Sequence, residues 1–105
     1  MVPVRTREEY FALLRSGDAP LLAQMEAPWC GDCHNALPEL ETIADTFRGR
    51  LTVLRLDADA DSRLREEFEL QGYPTYIFAE GGRVTATCLG APDFGLTRLV
   101  ELLVP

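Results

Sequence analysis

The chain has 105 residues, 47% of them hydrophobic, and a formal net charge of −7. That length supports one hydrophobic core and not two, so residues 1–105 are expected to form a single domain. The ten basic side chains are all arginine and form no basic run, which argues against a nucleic-acid partner.

No stretch nears the roughly 18 apolar residues of a membrane helix. The segment Met1–Glu9 is polar and lacks the apolar centre of a signal peptide. A cytoplasmic protein with no membrane partner is therefore expected, and a monomer. Three cysteines, an odd number, do not make the disulfide framework of a secreted domain. Acidic residues are densest at 57–61 and 66–69, and solvated faces and helix caps account for them.

Val2–Val4 reads as a brief extended piece. Thr6-Arg7-Glu8-Glu9 is a capping box, followed by Tyr10, Leu13 and Leu14 at helical spacing and by Gly17 as a stop. Asp18-Ala19-Pro20 makes a turn. Leu21–Met25 is a near-continuous apolar run of strand length, which suits a central strand covered on both faces, and Glu26-Ala27-Pro28 ends it. A helix is expected from about Cys30, carrying Ala36, Leu37, Leu40, Ile43, Ala44 and Phe47, kinked at Pro38 and ended by Gly49. Leu51–Leu56 is the next strand. Asp59 or Asp61 caps a third helix containing Leu64 and Phe68, stopped near Gly72. Thr75–Phe78 is strongly β-forming, and Gly81-Gly82 turns it into a hairpin with Arg83–Leu89. Asp93 caps a last helix with Leu96, Leu99, Val100 and Leu103 on one face. Strands separated by helices imply parallel crossovers, with the final hairpin adding an antiparallel edge.

The chemistry concentrates in Trp29-Cys30-Gly31-Asp32-Cys33. Two cysteines one helical turn apart can close into a small disulfide ring and reopen by thiol–disulfide exchange. Taken with Pro38, Gly72-Tyr73-Pro74-Thr75 and the element order, this motif resembles the thioredoxin superfamily over nearly the whole chain. Trp29-Cys30-Gly31-x-Cys33 is similar to that family's active-site motif. Pro38, five residues past the second cysteine, matches the proline that kinks its active-site helix. Gly72-Tyr73-Pro74-Thr75 is similar to a Gly-x-Pro-Thr whose proline is cis. Gly81-Gly82 and Gly90 fall at its hairpin glycine and at a later glycine beside the active site. The resemblance implies an α/β thioredoxin fold, a mixed and mostly parallel sheet of four to five strands with helices on both faces. It implies a thiol–disulfide oxidoreductase that reduces protein or small-molecule disulfides without a cofactor. Its own pair is then reduced again by a flavin reductase or a low-molecular-weight thiol.

Within that reading Cys30 attacks, because unpaired N–H groups at a helix start favour a thiolate, and Cys33 resolves the mixed disulfide. Trp29 shields the sulfurs and offers an apolar platform. Pro74, if cis, leaves the preceding carbonyl and the strand edge that begins at Thr75 open to an extended peptide. Tyr73, Gly90 and Ala91 line the rest of the groove.

Three positions depart from thioredoxin. Asp32 replaces a proline; its charge suits the first helical turn but opposes a thiolate on Cys30. Gln24 stands where the family has a buried aspartate held to help deprotonate the resolving cysteine. Glu26, two residues on and on the same strand face, is then the candidate proton acceptor for Cys33, against the plainer reading of an exposed strand-end glutamate. His34 completes Cys-x-x-Cys-His, by spacing alone a haem attachment pattern, but haem explains none of Trp29, Pro38 or Pro74. On the exposed helix face it would modestly favour the thiolate. Cys88 reads as a small core filler, with a third redox thiol as the sharper alternative. Two other classes remain open at this stage: a thioredoxin-fold binding or chaperone module with little turnover, and a zinc site drawing on Cys30, Cys33, His34 and Cys88.

Overall fold

The computed structural model describes residues 1–17 and 19–104. In chain order the elements are β1 (Val2–Val4), α1 (Arg7–Ser16), β2 (Leu21–Glu26), α2 (Gly31–Asn35), α3 (Leu37–Thr46), β3 (Thr52–Asp57), α4 (Ser62–Glu67), β4 (Thr75–Glu80), β5 (Arg83–Leu89) and α5 (Leu96–Leu103). The strands form one five-stranded sheet in the order β1-β3-β2-β4-β5. Asp18, the first residue of the expected turn before β2, lies outside the described residues.

β2 holds the centre, and all six of its residues are buried. Its alternation sends Leu21, Ala23 and Met25 to one face, where they meet Tyr10 and Leu14 of α1 and Leu64 of α4. Leu22 points to the other face and joins Leu40 and Ile43 of α3 with Leu96 and Val100 of α5. The apolar run in the sequence is thus a strand covered on both sides by helices. Gln24 and Glu26 share the face of Leu22, so two polar side chains sit at the end of a buried strand.

The sheet is mixed, but less parallel than the element order suggests. β1 and β2 pair parallel with β3, while β4 pairs antiparallel with β2 as well as with β5. Antiparallel pairing therefore begins at β4 and not at the hairpin. The chain re-enters the sheet at the end where it left: Asp57 pairs with Glu26, and Thr75 pairs with Met25 beside it.

Local signals mostly act as their chemistry requires. Thr6 caps α1 by accepting the Glu9 N–H at 3.1 Å, and Asp61 caps α4 by accepting the Arg63 N–H at 3.1 Å. Asp61 also accepts the Arg7 N–H at 2.9 Å, which ties the start of α1 to α4. The long helix is split at Ala36, with Pro38 in the first turn of the second piece. α4 stops at Glu67, well before Gly72, and Glu69 takes a positive φ of 49° just beyond it.

Two expectations for the last helix are corrected. Asp93 does not cap it. The chain turns at Gly95, whose φ of 97° suits a glycine, and α5 begins at Leu96 with no cap from its own side chains. Glu39 of α3 does that work from outside, accepting the Thr97 N–H at 3.1 Å and the Thr97 hydroxyl at 2.7 Å. Leu103 is 40% exposed; Val104, one residue on, fills the core position in its place.

Burial of tyrosine hydroxyls gives the core a pH signature. Desolvation, helped by Glu67, pushes Tyr10 up from 10.0 to about 12, and desolvation, helped by Glu39 and Glu26, does the same for Tyr76. The unfolded chain ionises these groups at the ordinary value while the folded chain keeps the protons, so stability falls as pH rises across that window. In an ultraviolet titration of the native protein, Tyr10 and Tyr76 should stay protonated well past pH 10. Ionisation of all three tyrosines near pH 10 in the folded state would contradict this packing.

Candidate active site

The site lies where β2 ends. The strand hands the chain to Ala27-Pro28-Trp29, and the Cys30 N–H closes a turn onto the Ala27 carbonyl at 3.1 Å. Cys30 is the residue before α2, with an extended ψ of 106°, and its sulfur accepts the Cys33 N–H at 3.2 Å. A sulfur in the capping position thus meets an N–H that the helix leaves unpaired. Cys33 lies one turn inside, and the two are joined as a disulfide with Cα atoms 5.3 Å apart. Both are buried, Cys33 at 2% exposure and Cys30 at 6%, in a small cluster with Ala27 and Tyr73.

Trp29 is not core. It is 70% exposed, and two contacts hold it beside the disulfide. Its indole N–H donates to Asp59 Oδ2 at 2.7 Å, and its ring meets Tyr73 edge-to-face with centroids 5.5 Å apart. Asp59 is set in turn by Asp57, whose Oδ1 accepts the Asp59 and Ala60 N–H groups at 3.0 and 3.2 Å. Burial, with Asp59 next, raises the Tyr73 hydroxyl above its ordinary value.

Tyr73–Pro74 is cis, and Tyr73 packs against the cysteine cluster. The expected open strand edge after it is corrected: β4 is interior, so Thr75 pairs with Met25 on one side and Leu89 on the other. Thr75 is buried with its hydroxyl donating to the Gly72 carbonyl at 2.7 Å, and the Pro74 carbonyl accepts the Gly90 N–H at 2.8 Å. Pro74 is buried as well, Gly90 is half-buried with φ 72°, and Ala91 is exposed. Of the residues expected to line a groove, Trp29 and Ala91 are exposed and Tyr73 and Gly90 half-buried.

His34 is exposed, and its Nε2–H donates to the Pro28 carbonyl at 3.0 Å, pinning α2 to the Trp29 turn. Asp32 is exposed in the first turn of α2. Cys88 is a free, half-buried thiol that faces Tyr76 across the strands and packs at the margin of the core. Among the described residues no three His, Cys, Asp or Glu side chains converge as a metal site.

Glu26 is not an exposed strand-end residue. It is buried and clamped by Arg55, whose Nε and Nη2 donate to its two oxygens at 3.0 and 2.8 Å. That hydrogen bond raises the Arg55 guanidinium above its ordinary value. Gln24 donates from Nε2 to Glu26 at 3.0 Å and to the Cys33 carbonyl at 3.2 Å, and accepts the Tyr76 hydroxyl at 2.8 Å. Sequence reasoning missed Arg55, Tyr76 and Asp59 as neighbours of the site. The first two were readable only through strand register, and Asp59 was absorbed into an acidic run.

The sequence model of the thioredoxin family matches residues 1–101. The chain belongs to the thioredoxin family. Thioredoxin-1 of Drosophila melanogaster is 29% identical over 105 residues, covering 99% of this chain and 98% of that protein. A bifunctional thioredoxin reductase/thioredoxin of Mycobacterium leprae is 37% identical over 86 residues, 82% of this chain; the match spans only 19% of that protein. Among solved structures, the germline-specific thioredoxin Deadhead of Drosophila melanogaster superposes with a TM-score of 0.88 at 28% identity, covering 99% of this chain and all of that one. With its Cys30–Cys33 disulfide, this thioredoxin-family chain is a thiol–disulfide oxidoreductase.

Asp32 is the feature of this site most open to a simple test. Asp32→Asn removes one exposed negative charge beside Cys30 and keeps the shape of the side chain. Alkylation of reduced Cys30 at neutral pH should speed up about threefold, the size of one water-screened unit charge at close range. An unchanged or slower rate would mean that Asp32 does not oppose the thiolate.

Proposed function

We propose that the protein reduces disulfides in protein or small-molecule substrates with Cys30 as nucleophile and Cys33 as resolving thiol. The Cys30 thiolate attacks one sulfur of the substrate, the substrate S–S bond breaks, and one thiolate leaves. Cys33 gives up its proton and attacks Cys30, the mixed disulfide breaks, and the second thiolate leaves. The substrate gains two electrons and the protein holds the Cys30–Cys33 disulfide.

The observation that carries this order is the Cys33 N–H aimed at Cys30 Sγ at 3.2 Å. The same donor stabilises negative charge on Cys30 when the pair is reduced. Substrate lies across Trp29, Tyr73, Gly90 and Ala91, with Pro74 and Thr75 shaping the floor beneath them. The electron donor is a thioredoxin-reductase-like flavoprotein or a low-molecular-weight thiol. The first is supported by the Mycobacterium leprae relative that carries reductase and thioredoxin in one chain. The protein acts as a monomer in the cytoplasm, where a Cys-x-x-Cys pair is kept turning over. No helix among the described residues is long and apolar enough to cross a membrane.

Gln24 and Asp32 favour a second reading, a binding or chaperone module with little turnover. Insulin reduction driven by dithiothreitol separates the two. The protein should accelerate precipitation of insulin chains, Cys30→Ser should abolish that acceleration, and Cys33→Ser should accumulate a mixed disulfide on Cys30. Native protein no faster than Cys30→Ser would sink the oxidoreductase reading in favour of the binding module.

A further inference from the structure

Arg55, Gln24 and Tyr76 stand opposite one another on β3, β2 and β4, so their side chains form one row across the sheet. Glu26 joins the row from the end of β2. Gln24 is the hub and is fully buried. A buried amide is tolerated when its polar atoms are paired, and here three bonds do so. The carboxylate of Glu26 and the Cys33 carbonyl only accept, and the Tyr76 hydroxyl can donate. Gln24 must therefore turn Nε2 toward Glu26 and Cys33 and Oε1 toward Tyr76; the reverse orientation would oppose oxygen to oxygen.

The bond to the Cys33 carbonyl falls at a weak point of the backbone. α2 has five residues and stops at Ala36, just before α3 restarts. The helical partner of that carbonyl, four residues on, would be Leu37 beyond the break. Gln24 thus ties the resolving cysteine to the most buried strand of the sheet. The three bonds donated to the oxygens of Glu26, two from Arg55 and one from Gln24, leave it a clamp for the amide.

We propose that Gln24 is the positioning residue for the resolving thiol, and that Glu26, held by Arg55, acts on Cys33 by orienting Gln24 and not by taking its proton. The proposal rests on the roles given above to Cys30 and Cys33. In the mixed disulfide, Gln24 holds the Cys33 backbone so that its sulfur lies in line with Cys30. Without that tether the attacking sulfur is spread over more positions, and ring closure slows.

Reduced protein carrying Cys88→Ser, which removes the one free thiol outside the pair, reacts with dithiobis(nitrobenzoate) in two separable steps. Attack by Cys30 breaks the reagent disulfide and releases one coloured thiolate. Cys33 then loses its proton to solvent, attacks Cys30, and releases the second. The protein loses the two electrons that the reagent gains. Absence of the first release from this protein would overturn the assignment of Cys30 itself, a different failure from any in the second step. Gln24→Met keeps the length of the side chain and removes its hydrogen bonds. It should slow the second release about tenfold while the first stays within about twofold. Equal slowing of both, or of neither, would overturn the proposal. Should Gln24→Met not fold, Tyr76→Phe removes only the hydroxyl that fixes the amide and is read in the same way. Glu26→Gln keeps an acceptor for Gln24. It should slow the second release less than Gln24→Met does and leave the midpoint of its pH profile in place. A shifted midpoint would make Glu26 the proton acceptor and end the positioning role.

Discussion

Burial of β2 on both faces is the constraint on which the rest depends. A central strand can end in polar residues only if each finds a partner, because an unpaired buried donor or acceptor costs about 1–3 kcal/mol. Gln24 and Glu26 meet that demand sideways, through Arg55 on one neighbouring strand and Tyr76 on the other, and forward, through the Cys33 carbonyl. The same strand end delivers Cys30 to the start of α2, where its sulfur receives an N–H that the helix does not use. Packing and chemistry are thus joined at one point of the backbone. The sheet fixes the strand, the strand fixes the turn, and the turn aims the sulfur.

The exposed side of the site is built by different means. Trp29 is surface, yet an aspartate and an edge-on tyrosine hold it in one place. Asp59 is itself fixed by Asp57, so part of an acidic run becomes a bracket for the indole. His34 binds the same turn from the helix side. The result is an exposed indole held in place beside two nearly hidden sulfurs.

Much of this was legible in the residues. Leu21–Met25 announced a doubly covered strand by its unbroken apolar run, and Thr6 announced its cap. Cys30, Cys33, Pro38 and the Tyr73-Pro74-Thr75 entry pointed to the site together, through their resemblance to thioredoxin motifs. What was not legible depends on distances between elements. The direction of β4 depends on the end at which the 58–74 connection re-enters the sheet, which no local pattern states. The cap of α5 came from Glu39, 58 residues away from Thr97, and no local rule points that far. Arg55 and Tyr76 became partners of Gln24 only through strand register. Glu26, which strand alternation already placed on the right face, changed character because Arg55 faces it.

The strand end, the turn and the helix start meet in a Cys30–Cys33 pair that opens and closes as a working couple. A redox titration of the purified protein against dithiothreitol and glutathione buffers, followed by thiol labelling, measures that directly. The account predicts one reversible two-electron transition, about 30 mV per tenfold change in ratio, at a potential above roughly −300 mV. A pair that stays oxidised below that potential would behave as a structural disulfide and contradict the account.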